Sequence, residues 1–205
     1  MTGGPHDHGV AAVVLAAGRS ERMVGANKLL CEVGGRSLIA TVVQAILASS
    51  ARPVVVVTGH DASALEEPLS PYPVKLVHNP AYERGLSTSL ATGVGALPAG
   101  VCGVLICLGD MPLVEADHVE SLLERFEGLG KERKSQVCVP THQGRRGNPV
   151  LWGATFFAEL QGLEGDRGAK SLLAKHADRL QEVEVGSPGV LVDVDTQAAL
   201  AELGT

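Results

Sequence analysis

The sequence predicts a three-layer α/β fold: a mainly parallel sheet, helices on both faces, and a small inserted β-hairpin. Three observations predict it. Short, continuous runs of Val, Leu and Ile alternate with longer runs whose apolar residues recur at helical spacing, the pattern of repeated βαβ units. Aromatic residues are only 3% of the chain against 45% hydrophobic residues, so branched aliphatics and alanine must fill the core. The length, 205 residues, suits one sizeable core.

The elements follow in order. Val10–Leu15 reads as a first buried strand. Leu38–Ser49 places Leu38, Ile39, Val42, Val43, Ile46 and Leu47 at helical spacing. Pro53–Thr58 is a second buried strand, with proline confined to its first position. Asp61–Glu67 is a short helix ended by the proline-rich Pro68–Pro73. Val74–His78 is a third strand, and Leu86–Leu97 a helix following Gly85. Gly103–Leu108 is an unbroken apolar run, the expected central strand, ending at Gly109-Asp110-Met111-Pro112.

Glu115–Leu129 is a helix, Lys131–Gln136 a charged turn and Val137–Pro140 a strand. Thr141–Gly153 then breaks the pattern with a Gly/Arg-rich bend and a short Val150–Trp152 strand, the expected inserted hairpin. Helices near Ala154–Leu160 and Ala169–His176 follow, then strands at Glu182–Val185 and Val190–Val194 and a closing helix at Thr196–Leu203. The polar residues 1–9 read as a flexible terminus and 10–205 as a single domain. No repeat, low-complexity tract or linker divides it.

Composition excludes several function classes. A net charge of −6 argues against a nucleic-acid partner, which needs a basic face. It leaves room for a local positive pocket. Cys31, Cys102, Cys107 and Cys138 lack zinc-site spacing and read as free thiols, in keeping with a reducing, cytoplasmic compartment. No apolar run approaches the ~18 residues of a membrane span, and the opening residues carry no signal-peptide apolar region.

The chemistry-bearing residues gather at loop positions. Gly18 follows the first strand, where a missing Cβ lets the backbone approach a phosphate. Arg19, Arg22 and Lys28 add charge within ten residues. They make a triphosphate cradle or a solvated surface loop. Neither GxxxxGK[ST] nor a complete GxGxxG occurs. Asp110 falls at the carboxyl end of the central strand, where open α/β sheets place ligands. It can hold Mg²⁺ or cap a turn. Asp193 and Asp195 alternate along an extended segment, so only one easily reaches the same metal; the other, with Thr196, would cap the last helix. Ser87 and Ser89 open a helix, as anion donors or as caps. The histidines His60, His78, His118, His142 and His176 form no ligand pair, and no catalytic base is required of them.

Leu15-Ala-Ala-Gly18-Arg19-Ser20-Glu21-Arg22-Met23, continued by Asn27-Lys28-Leu29-Leu30, resembles the opening motif of the molybdenum-cofactor nucleotidylyltransferases. These belong to the MobA-like NTP transferases, with a Rossmann-like fold of the glycosyltransferase-A type. Further similar motifs run in order: Asn79-Pro80 with Gly85–Leu90, Leu108–Pro112, Gly144–Val150, Gly165–Ala169 and Asp193–Thr196. The resemblance implies a Mg²⁺-dependent nucleotidyltransferase with Arg22, Lys28 and Asp110 catalytic. It implies nucleotide contacts from Leu15, Ala16, Ala17, Gly18, Arg19, Ser20, Lys28, Asn79, Ser87, Ser89 and Asp110. Metal ligands would be Asp110 with Asp195 or Asp193, and Arg146 and Asn148 would face the acceptor.

Ala17 resembles the branch that uses CTP rather than GTP. The implied reaction moves CMP to a phosphorylated small molecule, molybdopterin, serving a molybdenum hydroxylase partner. A nicotinamide-dependent reductase on the same fold and a non-catalytic molybdopterin chaperone are the alternatives. Two departures stand out. Val24 occupies a position where the family has glycine, and Asn148 one where it usually has histidine.

Overall fold

The computed structural model describes residues 8–19, 27–166 and 168–203. The strands are β1 (His8–Ala16), β2 (Glu32–Val33), β3 (Arg36–Ser37), β4 (Val54–Thr58), β5 (Lys75–His78), β6 (Val101–Leu108), β7 (Val137–His142), β8 (Arg145–Arg146), β9 (Val150–Gly153) and β10 (Leu180–Glu184). The α-helices are α1 (Leu38–Ala48), α2 (Glu66–Leu69), α3 (Leu86–Gly95), α4 (Ala116–Gly128), α5 (Phe157–Gln161), α6 (Lys170–Lys175) and α7 (Gln197–Leu203).

The main sheet runs β10-β7-β9-β6-β1-β4-β5, with β8 attached to β7. β1 pairs in parallel with both β4 and β6, and β5 with β4. β6 lies mid-sheet, as its apolar run predicts. β9 enters antiparallel between β6 and β7, so the expected hairpin insertion is built into the sheet. Successive strand residues serve opposite layers: Val14, Val56 and Leu105 pack with Ile39, Val43, Ile46, Leu122 and Phe126. Val13, Val55 and Val104 pack with Leu90, Trp152, Phe156 and Leu160. Burial on both faces is why these strands read as unbroken apolar runs.

Helix starts follow local chemistry. Ser37 accepts from the Ala40 N–H at the head of α1. Glu115 and His118 form a reciprocal cap on α4. Two of the expected elements need correction. Val190–Val194 is not a ladder strand: Pro188–Leu191 forms a 3-10 turn, and Val194 N–H donates to the Asp110 carbonyl at 2.9 Å. Close backbone packing at Gly189 and Gly147 holds it there instead of in the sheet. The expected charged turn is a 3-10 helix, Gly130–Ser135. Antiparallel β2 and β3 were not anticipated; Gly34 and Gly35, at φ 61° and 77°, make their turn.

The thiols Cys102, Cys107 and Cys138 are buried and all four cysteines are free. No helix among the described residues is long and apolar enough to cross a membrane. The expected flexible terminus of residues 1–9 is too long, since His8 and Gly9 open β1 and His8 pairs with Val101 of β6; residues 1–7 lie outside the described residues, as do Ser20, Arg22 and Val24.

Candidate active site

The two central strands end side by side, with Leu15 of β1 in register with Leu108 of β6. Beyond β6, Gly109 donates its N–H to the Leu15 carbonyl at 3.0 Å. A Cβ on Gly109 would stand 3.0 Å from that oxygen and 3.1 Å from Ile39 Cδ1, so the turn into Asp110 favours glycine. A cavity of about 550 Å³ opens at this edge.

Lys28 enters from a 3-10 turn, Lys28–Leu30, capped by Asn27 Oδ1 accepting from Leu29 N–H at 3.1 Å. Its Nζ donates to Asp110 Oδ2 and to Asp195 Oδ1, both at 2.7 Å. The three side chains are 15%, 21% and 36% exposed. Burial alone would lower the Lys28 pKa; hydrogen bonds to Asp110 and then Asp195, with their charges, outweigh it and hold the ammonium above its ordinary range. Asp195 is therefore the aspartate of the pair that meets Asp110. Asp193 is exposed and does not line the cavity. Thr196 Oγ1 caps α7's first turn, accepting from Ala199 N–H at 3.1 Å.

Leu15, Ala16, Ala17, Gly18 and Arg19 form the β1 wall of the cavity. Among the described residues, a Cβ on Gly18 would meet nothing within 4 Å. Gly59 brings the opposite loop in: a Cβ there would lie 2.7 Å from Tyr82 Cβ and 2.8 Å from Ala17 Cβ. Arg19 pairs with Glu83 across the opening.

Ser89 lines the cavity, but two other residues expected at the nucleotide stand behind its wall. Ser87 is fully buried and donates both O–H (2.5 Å) and N–H (3.2 Å) to the Gly165 carbonyl. The start of α3 is thus capped by a distant turn of the same chain. Asn79 is 1% exposed; its amide donates to Thr88 Oγ1 and Ser89 Oγ and accepts from Ala81 N–H. Both residues shape the wall.

Arg146 and Asn148 do not line the cavity either. Arg146 is exposed on β8 and pairs with Glu182 at 2.7 Å. Asn148 gives its backbone N–H to Val190 at 2.9 Å. Sequence reasoning missed Tyr82, Glu83, Gly85, Leu86 and Asp166, which also line the cavity. Their signal was position: Gly85, Leu86 and Asp166 lie within the Gly85–Leu90 and Gly165–Ala169 motifs, and Tyr82 and Glu83 lie between Asn79-Pro80 and Gly85, though no motif discloses which side chain faces inward.

Arg22, one of the cations of the expected positive pocket, lies outside the described residues. Among the described lining residues four carboxylates, Glu83, Asp110, Asp166 and Asp195, outnumber the cations Arg19 and Lys28. Each cation is already held by a carboxylate. Among the described residues no group of three or more His, Cys, Asp or Glu side chains could hold a metal. The pair Asp110 and Asp195 fits an ion that takes one or two carboxylates and completes its shell with phosphates and water. Both oxygens already converge on one cationic group.

Comparison with known proteins agrees with this architecture. The chain is 31% identical over 198 residues to the purine catabolism protein PucB of Bacillus subtilis, covering 90% of each. It is 25% identical over 188 residues to the molybdenum cofactor cytidylyltransferase of Escherichia coli, covering 91% of each. Bifunctional GlmU proteins also match, but over only 24% to 36% of their longer chains. Rv0371c of Mycobacterium tuberculosis superposes with a TM-score of 0.81 at 25% identity, covering 97% of this chain and 98% of that one. It has also been solved in complex with manganese. The model of the MobA-like NTP transferase domain matches residues 12–180. The chain belongs to the MobA-like NTP transferase family, a family of nucleotidyltransferases.

Proposed function

We propose that this enzyme transfers a nucleoside monophosphate, CMP from CTP by preference, to a phosphorylated small molecule of the molybdopterin type, releasing pyrophosphate. The single observation that carries the reading is the Lys28 ammonium held between Asp110 and Asp195, beside the Gly18 wall. Fully ionised triphosphate carries several negative charges, and the described lining is itself negative. Two like charges ~4 Å apart at an effective dielectric of ~20 repel by about 4 kcal/mol. An NTP therefore needs a divalent partner to enter.

Asp110 and Asp195 would hold that ion, Mg²⁺ by proposal, which supplies charge neutralisation to the phosphates when bound. The β1 wall from Leu15 to Arg19 holds the nucleotide, with backbone amides at Ala17 and Gly18 near its phosphates. An acceptor phosphate oxygen forms the new bond to the α-phosphorus while the α–β bridging bond breaks and its electrons leave with pyrophosphate. Lys28 stabilises charge on the transferring and departing groups, and Arg22 joins it in this proposal. The acceptor phosphate is already ionised near neutral pH, so no side chain need remove a proton.

Ala17 and the likeness to the Escherichia coli cytidylyltransferase support CTP. The higher identity to PucB supports a variant of the same reading, in which the product serves purine catabolism. A molybdenum hydroxylase is the proposed partner. The test is pyrophosphate release from CTP, GTP, ATP and UTP with Mg²⁺ and a molybdopterin acceptor. CTP should turn over fastest, and Asp110→Asn should reduce kcat at least 100-fold in a folded protein. Undiminished release by Asp110→Asn would refute the mechanism.

A further inference from the structure

Asp195 reaches Lys28 from a stretch that belongs to neither sheet nor long helix, yet it is tightly seated. Val190 and Val194 are fully buried. On one side, a Cβ on Gly189 would overlap the Leu113 carbonyl, three residues past Asp110. On the other, a Cβ on Gly147 would overlap the Val190 carbonyl. Asn148 N–H donates to that same Val190 oxygen at 2.9 Å, and Gly147 N–H to Pro140 at 2.9 Å, tying the bend to β7. Val194 N–H closes the span on the Asp110 carbonyl at 2.9 Å. Upstream, His118 Nδ1 accepts from Glu115 N–H at 3.1 Å, leaving Nε2–H to donate to Ser187 Oγ at 2.9 Å.

We infer that Gly147 and Gly189 are positioning residues for the Asp110–Asp195 pair: their bare backbones clamp the 189–194 segment between the 110–114 loop and the 147–148 bend. The two carboxylates then move as one unit. The Gly-Asn-Pro bend thereby acts on the metal side of the site through the backbone, rather than on the acceptor through its side chains. The inference rests on the proposed metal role of Asp110 and Asp195.

A glycine in the same stretch supplies the control. Among the described residues a Cβ on Gly186 would meet nothing within 4 Å, and its φ is not positive. Mn²⁺ binding is followed by electron paramagnetic resonance on the full chain with CTP present, alongside far-ultraviolet circular dichroism. Gly147→Ala and Gly189→Ala should keep native secondary structure but weaken Mn²⁺ at least tenfold, and raise the Mg²⁺ concentration for half-maximal turnover equally. Gly186→Ala should change neither more than twofold. Ser187→Ala, which removes the hydroxyl that accepts from both His118 and the Gly189 N–H but adds no atom to the clamp, should weaken Mn²⁺ severalfold and keeps the test alive if an alanine blocks folding. Wild-type Mn²⁺ affinity in folded glycine variants, or in Ser187→Ala where those do not fold, overturns the clamp. A wild-type chain whose Mn²⁺ binding is indifferent to Asp195→Asn overturns the metal reading itself.

Discussion

Lys28→Met removes an ammonium that bonds both Asp110 and Asp195, and the distances set the size of the effect. Asp110 Oδ2 and Asp195 Oδ1 each lie 2.7 Å from Nζ, so they are at most about 5.4 Å apart, twice that spacing. At an effective dielectric of ~20, each lost attraction at 2.7 Å is about 6 kcal/mol, and the exposed repulsion between carboxylates at least about 3 kcal/mol. Two effects reduce the net. The ammonium no longer has to be desolvated, and the 36% exposure of Asp195 screens its charge. A net loss of roughly 1–3 kcal/mol remains, or about 3–10 °C in Tm for a chain of this size. Divalent cations should then act oppositely on the two proteins. In wild type an ion competes with the ammonium, whereas in the variant that competitor is gone and both carboxylates can turn to the ion. Differential scanning fluorimetry with Mg²⁺ should therefore show a larger stabilisation of Lys28→Met than of wild type, while turnover falls 100- to 1000-fold. A variant as stable as wild type, with no enlarged response to Mg²⁺, would refute the reasoning.

Three further outcomes follow from named contacts. Ser87→Ala should cost about 1–2 kcal/mol in urea unfolding, from the lost bond to Gly165, without moving the NTP KM; a raised KM at unchanged stability would put Ser87 on the nucleotide instead. Burial pushes the Cys107 thiol well up, and pushes Cys138 up to about 12 against the opposing charge of Arg125. Cys102 is buried too, so native iodoacetamide labelling should stop at Cys31, and fast modification of a second thiol would contradict this packing. Glu184 accepts from Gln143 N–H and then Thr141 O–H, which hold its pKa below the ordinary carboxylate range. A lowered folded pKa contributes stability above the unfolded value that is lost as pH falls through the folded one. Glu184→Gln should flatten the acid limb of a urea-midpoint profile between pH 7 and 3, and an unchanged profile would show that these bonds do not matter.

The central strands were legible because burial on both faces leaves an unmistakable apolar run, as at Gly103–Leu108 and Val54–Thr58. Val190–Val194 has equally apolar chemistry but a different fate. Its neighbours Gly147 and Leu113 are remote in sequence, so no local pattern could disclose the packing that keeps it out of the sheet. The same distinction runs through the site. Lys28 and Asp110 were legible from their motifs, whereas the choice of Asp195 over Asp193 depends on where Val194 bonds. Ser87 and Asn79 sit in motifs that suggest ligand contact, yet each is itself buried and bonds to its own chain. Polar residues at a helix start look alike in sequence whether they face a ligand or a distant carbonyl.

The central claim is that nucleotide enters through a divalent ion held by Asp110 and Asp195. Thermal unfolding with CTP, GTP, ATP, UTP and NADPH, each with Mg²⁺ or with EDTA, tests it directly. A ligand at 100 times its Kd adds about 2.7 kcal/mol, or roughly 5–10 °C here. CTP should raise Tm by that amount only with Mg²⁺, and the rise should vanish in Asp110→Asn and Asp195→Asn. An equal rise in EDTA, or a rise with NADPH alone, would contradict the account.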